Sequence, residues 1–385
     1  MRIVNICVNA PFTENYTYQD NMLSEYQQRL GNEVTIITGV RTRDKNGKIV
    51  KILPENRIMK NGVRLIRIEE KKPLKKIKRI FDIYPHIIKY LEELRPELII
   101  IHGLETNVVS YAIKYKKRHK SVKIVADNHV DCRNMSRNNM ILKAISKIYK
   151  LRWKYWVNDV EKVYGVTSSR VKFAVEQYGI PTEKVDILLM GVDHNFINLA
   201  DNCNNRKDIR KKYNIPEDGF VFVSGGKLDK HKEIISMMKA FQCVQNEKTY
   251  FLIFGSVDKE IETEFQKIVE ENPNIIYVGY VPAVDTNKLL AASDFCLFAG
   301  RHSVLWEQAV GCGIPGLFRK YEENDHYDVN GNCIRVEDVC IENLSNHLAH
   351  VLQDRDYYES MRKAARTGAH QFSYYEIAKK SIEVC

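Results

Sequence analysis

Two stretches, SGGKLDKHKE at residues 224–233 and SVLWEQAVGCGIP at residues 303–315, decide the interpretation of the chain. The first joins an apolar run to a glycine turn and two lysines, Lys227 and Lys232. The second joins a loop to a helix that carries one acid, Glu307. A strand, a glycine-bearing loop and a helix in succession are typical of a parallel α/β sheet. Lysines at such a loop can neutralise a diphosphate, and a carboxylate can bind a ribose, so the two stretches predict a nucleotide-binding cradle.

Strand-sized apolar runs alternate with helical patterns along the whole chain, which predicts an α/β fold with parallel sheets covered by helices. Residues 198–208 are polar and separate two halves of similar size. We therefore predict two Rossmann-like domains, residues 1–197 and residues 198–371. Ligands of such sheets bind at the carboxyl ends of the strands, so two facing domains would enclose a central cleft.

The 385 residues carry a net charge of +10, which favours an anionic partner such as a nucleotide, a phospholipid headgroup or an acidic glycan. No nucleic-acid-binding module accompanies the charge, so we do not expect a nucleic-acid partner. The nine cysteines include no C-x-x-C pair, and the chain opens on a strand pattern rather than on an apolar leader. These features favour a cytoplasmic protein with reduced thiols and no bound metal.

Several motifs together resemble the GT-B glycosyltransferases, and family 4 in particular. Besides the two opening stretches, they are RPELIIIH at residues 95–102, KVYGVTS at 162–168, GVD at 191–193, LAASD at 290–294 and FSYY at 372–375. The resemblance implies a retaining enzyme that uses a nucleoside-diphosphate sugar, with UDP or GDP as the expected nucleotide, and needs no metal or cofactor. It also implies that a C-terminal helix within residues 372–385 packs back on the acceptor-binding N-terminal domain.

On the donor side, the resemblance assigns Lys227 and Lys232 to the diphosphate and Glu307 to the ribose hydroxyls. Lys227 stands where the family usually has arginine, so a point charge replaces a bidentate fork. The other residues expected to line the donor are Gly226, Tyr280, Arg301, His302, Ser303 and Val304. The alternative interpretation is a solvated lysine loop and an ordinary surface glutamate.

The chain departs from the family pattern at Ala299, where the family has an acid that approaches the donor sugar. Arg301 or His302 would occupy part of that space, and an arginine there would suit an acidic sugar. The missing acid also leaves open an inactive subunit that binds a glycan or a partner enzyme.

In the N-terminal half, DNHVD at residues 127–131 follows an apolar strand. The resemblance places His129 near the reacting sugar, as a catalytic residue together with Lys227 and Lys232. Its expected work is a hydrogen bond to a sugar hydroxyl, and a structural histidine is the alternative. Residues expected on the acceptor side are Tyr16, Tyr18, Gln19, Asp127 and Asp131; the loop with the first three is equally well explained as a helix N-cap.

Two basic segments, residues 71–81 and 143–154, predict contact with an anionic membrane surface, and two ordinary surface helices are the alternative. In the second segment the lysines recur at helical spacing. Apolar residues are expected on the opposite side of that helix: Ile141, Ala144, Ile145, Ile148, Leu151 and Tyr155.

The leading hypothesis is a cytoplasmic, retaining glycosyltransferase that extends a surface polysaccharide, a lipopolysaccharide or a lipid-linked glycan. Peripheral attachment to the inner face of the cell membrane accompanies this hypothesis. A GT-B-like epimerase acting on the nucleotide sugar and an inactive GT-B-like subunit remain as alternatives.

Overall fold

The computed structural model describes residues 1–44, 48–70, 84, 86–131, 140–321 and 324–384. These residues form two compact units. The N-terminal unit comprises the described residues of Met1–Leu189 together with residues 377–384, and the C-terminal unit comprises those of Met190–Glu376. The boundary between residues 197 and 198 remains a prediction. The cysteines in the described ranges are free thiols.

The N-terminal unit alternates strands and helices. Its strands are β1 (Arg2–Cys7), β2 (Glu33–Gly39), β3 (Arg41–Arg43), β4 (Ile49–Lys51), β5 (Glu55–Ile58), β6 (Arg64–Ile68), β7 (Leu98–His102), β8 (Lys123–Asn128), β9 (Lys162–Gly165) and β10 (Val185–Ile187). Its helices are α1 (Gln19–Arg29), α2 (His86–Leu94), α3 (Val108–Arg118), α4 (Met140–Trp156) and α5 (Ser168–Tyr178).

Within the described residues, these strands form one large sheet in the order β10-β9-β8-β7-β1-β2-β6-β5. All neighbours are parallel except β5 and β6, and β3 pairs separately with β4 in an antiparallel hairpin. The central strand β7, LIIIH, is buried along its whole length because helices cover both faces of the sheet. A core of strand residues such as Ile99 and helix residues such as Tyr149 and Trp153 holds the unit together.

The C-terminal unit has the same alternation around a second sheet. Its strands are β11 (Phe220–Leu228), β12 (Thr249–Val257), β13 (Ile275–Gly279), β14 (Phe295–Phe298), β15 (Gly316–Arg319) and β16 (Cys333–Val336). Its helices are α6 (Cys203–Lys212), α7 (Ile234–Val244), α8 (Glu262–Glu271), α9 (Ala283–Ala291), α10 (Leu305–Gly311), α11 (Ile341–Gln353) and α12 (Arg355–Gly368), and α13 (Tyr374–Ile382) follows.

The second sheet has the order β13-β12-β11-β14-β15-β16 among the described residues, and every neighbour pair in it is parallel. Parallel strands end at one edge of their sheet, so the loops after β11, β13 and β14 emerge on the same side. This edge carries most of the residues predicted to bind a donor.

From Ile377 onward, α13 belongs to the N-terminal unit. The Nε2 atom of Gln27 donates to Oγ of Ser381 at 2.9 Å, and the hydroxyl of Tyr164 donates to the carbonyl of Lys380 at 3.1 Å. These contacts attach the end of the chain to α1 and to β9.

Candidate active site

In the N-terminal unit, polar side chains gather where β7 and β8 end. His102 and Asp127 are both buried there, with Nδ1 of the imidazole 2.6 Å from Oδ2 of the carboxylate. Burial alone would lower the pKa of His102, but Asp127 raises it well above its ordinary value. Burial would likewise raise the pKa of Asp127, but His102 and His129 hold it well below its ordinary value. His102 and Asp127 therefore form an ion pair.

A chain of hydrogen bonds from Asn5 to α13 holds this pair in place. Nε2 of His102 lies 3.3 Å from Oδ1 of Asn5, whose Nδ2 donates to Oε1 of Gln27 at 2.8 Å. Gln27 in turn donates to Ser381 on α13. An oxygen lies near each ring nitrogen of His102, at 2.6 Å from Nδ1 and 3.3 Å from Nε2, which agrees with a protonated imidazole. A buried polar network whose members are paired holds its side chains in one arrangement.

His129 follows β8, and its side chain is 40% exposed, whereas that of Asp127 is 1% exposed. Nε2 of His129 lies 3.4 Å from Oδ1 of Asp127, and that oxygen also accepts the backbone N–H of Gly103 at 3.0 Å. Asp127 is thus an internal partner of two histidines. Its burial corrects the expectation that this carboxylate faces an acceptor; His129 is the member of the cluster that reaches the surface.

Of the other residues predicted for the acceptor side, two are accessible at the surface and two are buried. Tyr18 is 48% exposed, and its ring centroid lies 5.2 Å from that of Tyr16. Gln19 is buried, and its Nε2 donates to two backbone carbonyls after β10 at 3.3 Å and 3.4 Å. Asp131 is buried with an oxygen 3.7 Å from Nε of Arg170. The two tyrosines can therefore meet a ligand, while Gln19 and Asp131 make contacts inside the unit.

Asp20 is a carboxyl group at this edge that the sequence analysis missed. It lies in the first turn of α1, and burial raises its pKa, whereas the charges of His102 and His129 oppose that rise. An acid in a first helical turn is normally explained by the helix dipole. For that reason the sequence carried no signal that Asp20 approaches the two histidines.

In the C-terminal unit, Lys232 and Arg301 come together where β11 and β14 end. Nζ of Lys232 donates to the backbone carbonyl of Arg301 at 2.7 Å, and Nη2 of Arg301 donates to Oδ2 of Asp229 at 3.0 Å. Burial first, and then the charge of Arg301, lowers the pKa of Lys232 to about 8. A half-buried amine beside another cation is a strong attractor of anions.

Glycines let the loops of this edge approach each other. A Cβ at Gly300 would lie 2.3 Å from the carbonyl carbon of Lys232, so no other residue fits there. Gly226 has a φ of 108°, in the region that favours glycine. The next residue, Lys227, is 68% exposed, and its Nζ lies 3.8 Å from Asp258. An exposed ion pair of this kind is weak, so Lys227 can exchange it for an anionic ligand.

Glu307, predicted to bind ribose, is completely buried on α10. Its Oε1 lies 2.8 Å from Nε2 of His302 and 2.8 Å from Nε2 of His326. His326 lies between β15 and β16, and no sequence motif pointed to it. Ser303 and Val304 form the entry to α10, and the Oγ atom of Ser303 is buried without a hydrogen-bond partner among the described residues.

Ala299 is also completely buried and packs in the core of the C-terminal unit, where its backbone N–H lies 3.5 Å from Sδ of Met237. A carboxylate at this position would point into apolar surroundings, at a large desolvation cost.

Tyr280, predicted to lie beside the donor, follows β13 and is 74% exposed. It lines an open cavity of about 690 Å³ within the C-terminal unit, together with Phe196, Asn205, Lys212 and Tyr213. The volume lies in the range of small-molecule sites.

Among the described residues, two groups of side chains combine the ligand types that a metal ion uses, with their ligating atoms within 4.8 Å of one another. One is His102, Asp127 and His129, and the other is His302, Glu307 and His326. In each group, imidazole nitrogens already lie within ion-pair distance of the carboxylate. Imidazole N–H groups compensate the buried carboxylate charge in both clusters, and a metal would have to displace those protons.

Of the two predicted membrane-contact segments, residues 71–81 lie outside the described residues. In α4, Lys143, Lys147, Lys150 and Lys154 are all exposed. The predicted apolar face of α4 was wrong in part, since Ile145 is buried but Leu151 is 58% and Tyr155 76% exposed. The helix packs on α3 and α5 through a stripe that includes Ile145, Tyr149 and Trp153, of which only Ile145 belongs to the predicted face. None of the described helices combines the length and the apolar character needed to span a bilayer.

Two family models match the sequence: Glycosyltransferase Family 4 over residues 21–196 and Glycosyl transferases group 1 over residues 205–368. No curated protein is significantly similar in sequence. Among solved structures, a glycosyltransferase from Rickettsia africae superposes with a TM-score of 0.72 at 14% identity, covering 100% of this chain and 97% of that one.

HepE from Anabaena, in complex with UDP and glucose, has a TM-score of 0.68 at 11% identity and covers 100% and 98% of the two chains. UDP-GlcNAc 2-epimerase from Neisseria meningitidis, bound to UDP-GlcNAc, has a TM-score of 0.65 at 12% identity, with 100% and 99% covered. Likeness at such identities shows the fold alone, whereas the two family models account for both units. The chain belongs to the GT-B glycosyltransferases of the family 4 type, which transfer a sugar from a nucleotide sugar without a cofactor.

Proposed function

We propose that this glycosyltransferase is retaining and metal-independent, and that UDP or GDP carries its donor sugar. The observation that carries the proposal is the Lys232–Arg301 contact in the C-terminal unit, where a half-buried amine of lowered pKa lies at the carboxyl edge of the sheet. The negative charge of a diphosphate beside this amine would stabilise its protonated form. HepE, a protein of the same fold, has been solved with UDP.

In the proposed reaction the bond between C1 of the sugar and the diphosphate oxygen breaks, and the acceptor oxygen bonds to C1 on the same face. The acceptor hydroxyl proton passes to the departing phosphate. Lys232 and Lys227 neutralise the charge that develops on the diphosphate, which is the largest contribution expected of the protein. For His129 we propose a hydrogen bond to a sugar hydroxyl, with Asp127 holding the imidazole in place.

A direct test begins with thermal unfolding in the presence of UDP, GDP, ADP or CMP, because a ligand that binds the folded state raises its stability. The stabilising nucleotide is then supplied as a panel of sugar donors, with and without EDTA. We expect one nucleotide to stabilise the protein and one of its sugars to be hydrolysed or transferred equally well with EDTA. NMR of the product should show an unchanged anomeric configuration.

The Lys232→Ala variant should weaken nucleotide binding by about tenfold or more, the loss expected for a charge-assisted hydrogen bond. Lys230→Ala is the matched control, since Lys230 lies in the same turn but pairs with Glu260 at the surface. Nucleotide binding without any turnover over a broad donor panel would favour an inactive subunit. Interconversion of the donor sugar without transfer would favour an epimerase.

We further propose that the acceptor is a surface polysaccharide, a lipopolysaccharide or a lipid-linked glycan, and that α4 meets an anionic membrane surface on the cytoplasmic side. The support is the exposed face of α4, on which four lysines lie beside the exposed side chains of Leu151 and Tyr155. Each lysine near an anionic surface adds about 1 kcal/mol, and the two apolar side chains can enter the interface. Sedimentation with liposomes at low salt tests this, and binding that does not respond to anionic lipid contradicts it.

A further inference from the structure

The side chains of His302, Glu307 and His326 form a buried cluster in the C-terminal unit. The exposed fractions of their side chains are 8%, 0% and 5%, respectively. Both imidazoles approach the same carboxylate oxygen through Nε2, each at 2.8 Å. His302 comes from the loop between β14 and α10, Glu307 from α10, and His326 from the segment before β16, so three elements meet at one oxygen.

This arrangement determines which ring nitrogens carry protons. An ionised carboxylate only accepts hydrogen bonds, so both imidazoles must present Nε2–H to Glu307. Burial would raise the pKa of Glu307, but His302 and His326 hold it well below its ordinary value. A carboxylate that is buried and ionised depends on both donors, because loss of either leaves its charge poorly compensated.

Glu307 itself has no exposed surface. His302, by contrast, adjoins Arg301, whose carbonyl accepts the hydrogen bond from Lys232. It therefore connects the buried carboxylate to the loop that carries the proposed phosphate-binding cations. A carboxylate behind an imidazole is a familiar way to set the tautomer and the orientation of a histidine that meets a ligand.

We propose that Glu307 and His326 are positioning residues for His302, and that His302 is the member of the cluster that meets the nucleoside-diphosphate sugar. This inverts the expectation that Glu307 binds the ribose hydroxyls. The identity of the ligand rests on the proposed function, whereas the positioning of His302 by the other two residues does not.

A double-mutant cycle tests the positioning through ligand binding. The dissociation constant of the nucleotide that stabilises the wild type is measured for His302→Ala, His326→Ala and the double variant. We expect each single variant to weaken binding by about tenfold, the loss of a hydrogen bond to a charged group, and the double variant to bind no more weakly than His302→Ala. Losses that multiply would show that His326 does not act through His302, and would overturn the proposal.

A second arm separates positioning from direct ribose contact. Glu307→Gln keeps the shape of the side chain but removes its charge, and its effect is measured with the nucleotide and with its 2′,3′-dideoxy analogue. If Glu307 acts through His302, the loss should be the same with both ligands. A loss that vanishes with the dideoxy analogue would place Glu307 on the ribose and overturn the proposal.

A third arm needs no ligand. Nitrogen-15 NMR of labelled histidines should show the Nε2–H tautomer for His302 and His326 in the wild type. The spectrum of His302 should change in His326→Ala and recover in part in His326→Gln, which can still donate to Glu307. His350→Ala, a change at an exposed histidine of α11, serves as the control. An unchanged His302 spectrum in a folded His326→Ala variant overturns the proposal even if no nucleotide binds, whereas failure of nucleotide binding alone counts only against the proposed function.

Discussion

The lowered pKa of Lys232 predicts a pH dependence of nucleotide binding that few surface lysines would produce. If only the charged amine binds the diphosphate, the apparent dissociation constant follows the fraction of Lys232 that keeps its proton. With a pKa of about 8, that constant should rise about tenfold between pH 7 and pH 9. The terminal phosphate of the nucleotide titrates near pH 6, about one unit below this window, so its own charge is nearly constant there.

Isothermal titration calorimetry at half-unit pH steps measures this slope. Lys232→Arg should bind with little pH dependence, because a guanidinium keeps its charge throughout the window. Lys230→Ala should keep the wild-type slope. Titration of the base is common to all variants and cancels in the comparison. A slope that persists in Lys232→Arg, or a wild-type protein whose affinity is flat to pH 9, would refute the assignment of Lys232 to the diphosphate.

Three further predictions concern other parts of the molecule. Asp127→Asn should lower the free energy of unfolding by about 3 kcal/mol near neutral pH, measured with urea, since it breaks a buried pair with His102. Because the pKa of Asp127 is depressed, that difference should shrink as the pH falls below its ordinary value of 3.8. Gly300→Ala should weaken nucleotide binding, because the added methyl group pushes the loop away from Lys232. A variant that binds the nucleotide as tightly as the wild type would contradict this. Leu151→Ser should reduce liposome binding without changing stability, because that side chain is 58% exposed.

Much of the fold was predictable because it follows from local patterns. Short buried strands such as LIIIH in β7, alternating with amphipathic helices, indicate parallel sheets, and both sheets contain them. The turn with Lys232 was found for the same reason, since it directly follows a strand with glycines. The phase of α4 was not predictable, because several stripes of that helix are apolar. Packing on α3 and α5 selects the stripe with Tyr149 and Trp153 and leaves Leu151 exposed.

Sequence patterns could not predict the buried partners of the site residues. His102 ends a strand whose pattern explains it as core, and His326 lies in a segment without a motif. What makes them important is a long-range contact with a carboxylate, at a sequence separation of 19 residues for His326 and Glu307. A pattern reports which face of an element is buried, but not which polar side chain from another element will meet it there.

The same arrangement occurs in each unit: a buried carboxylate is paired with two imidazoles. Asp127 and Glu307 were both predicted to face a ligand, yet both are buried and each compensates its charge through two imidazoles. Removing a hydrogen-bond donor from a buried carboxylate is costly, so each acid constrains its histidines as strongly as they stabilise it. Under the proposed function, each acid would act on its ligand through one histidine of its own cluster, His129 for Asp127 and His302 for Glu307. Substitution of either acid should therefore weaken ligand binding by no more than substitution of its histidine does.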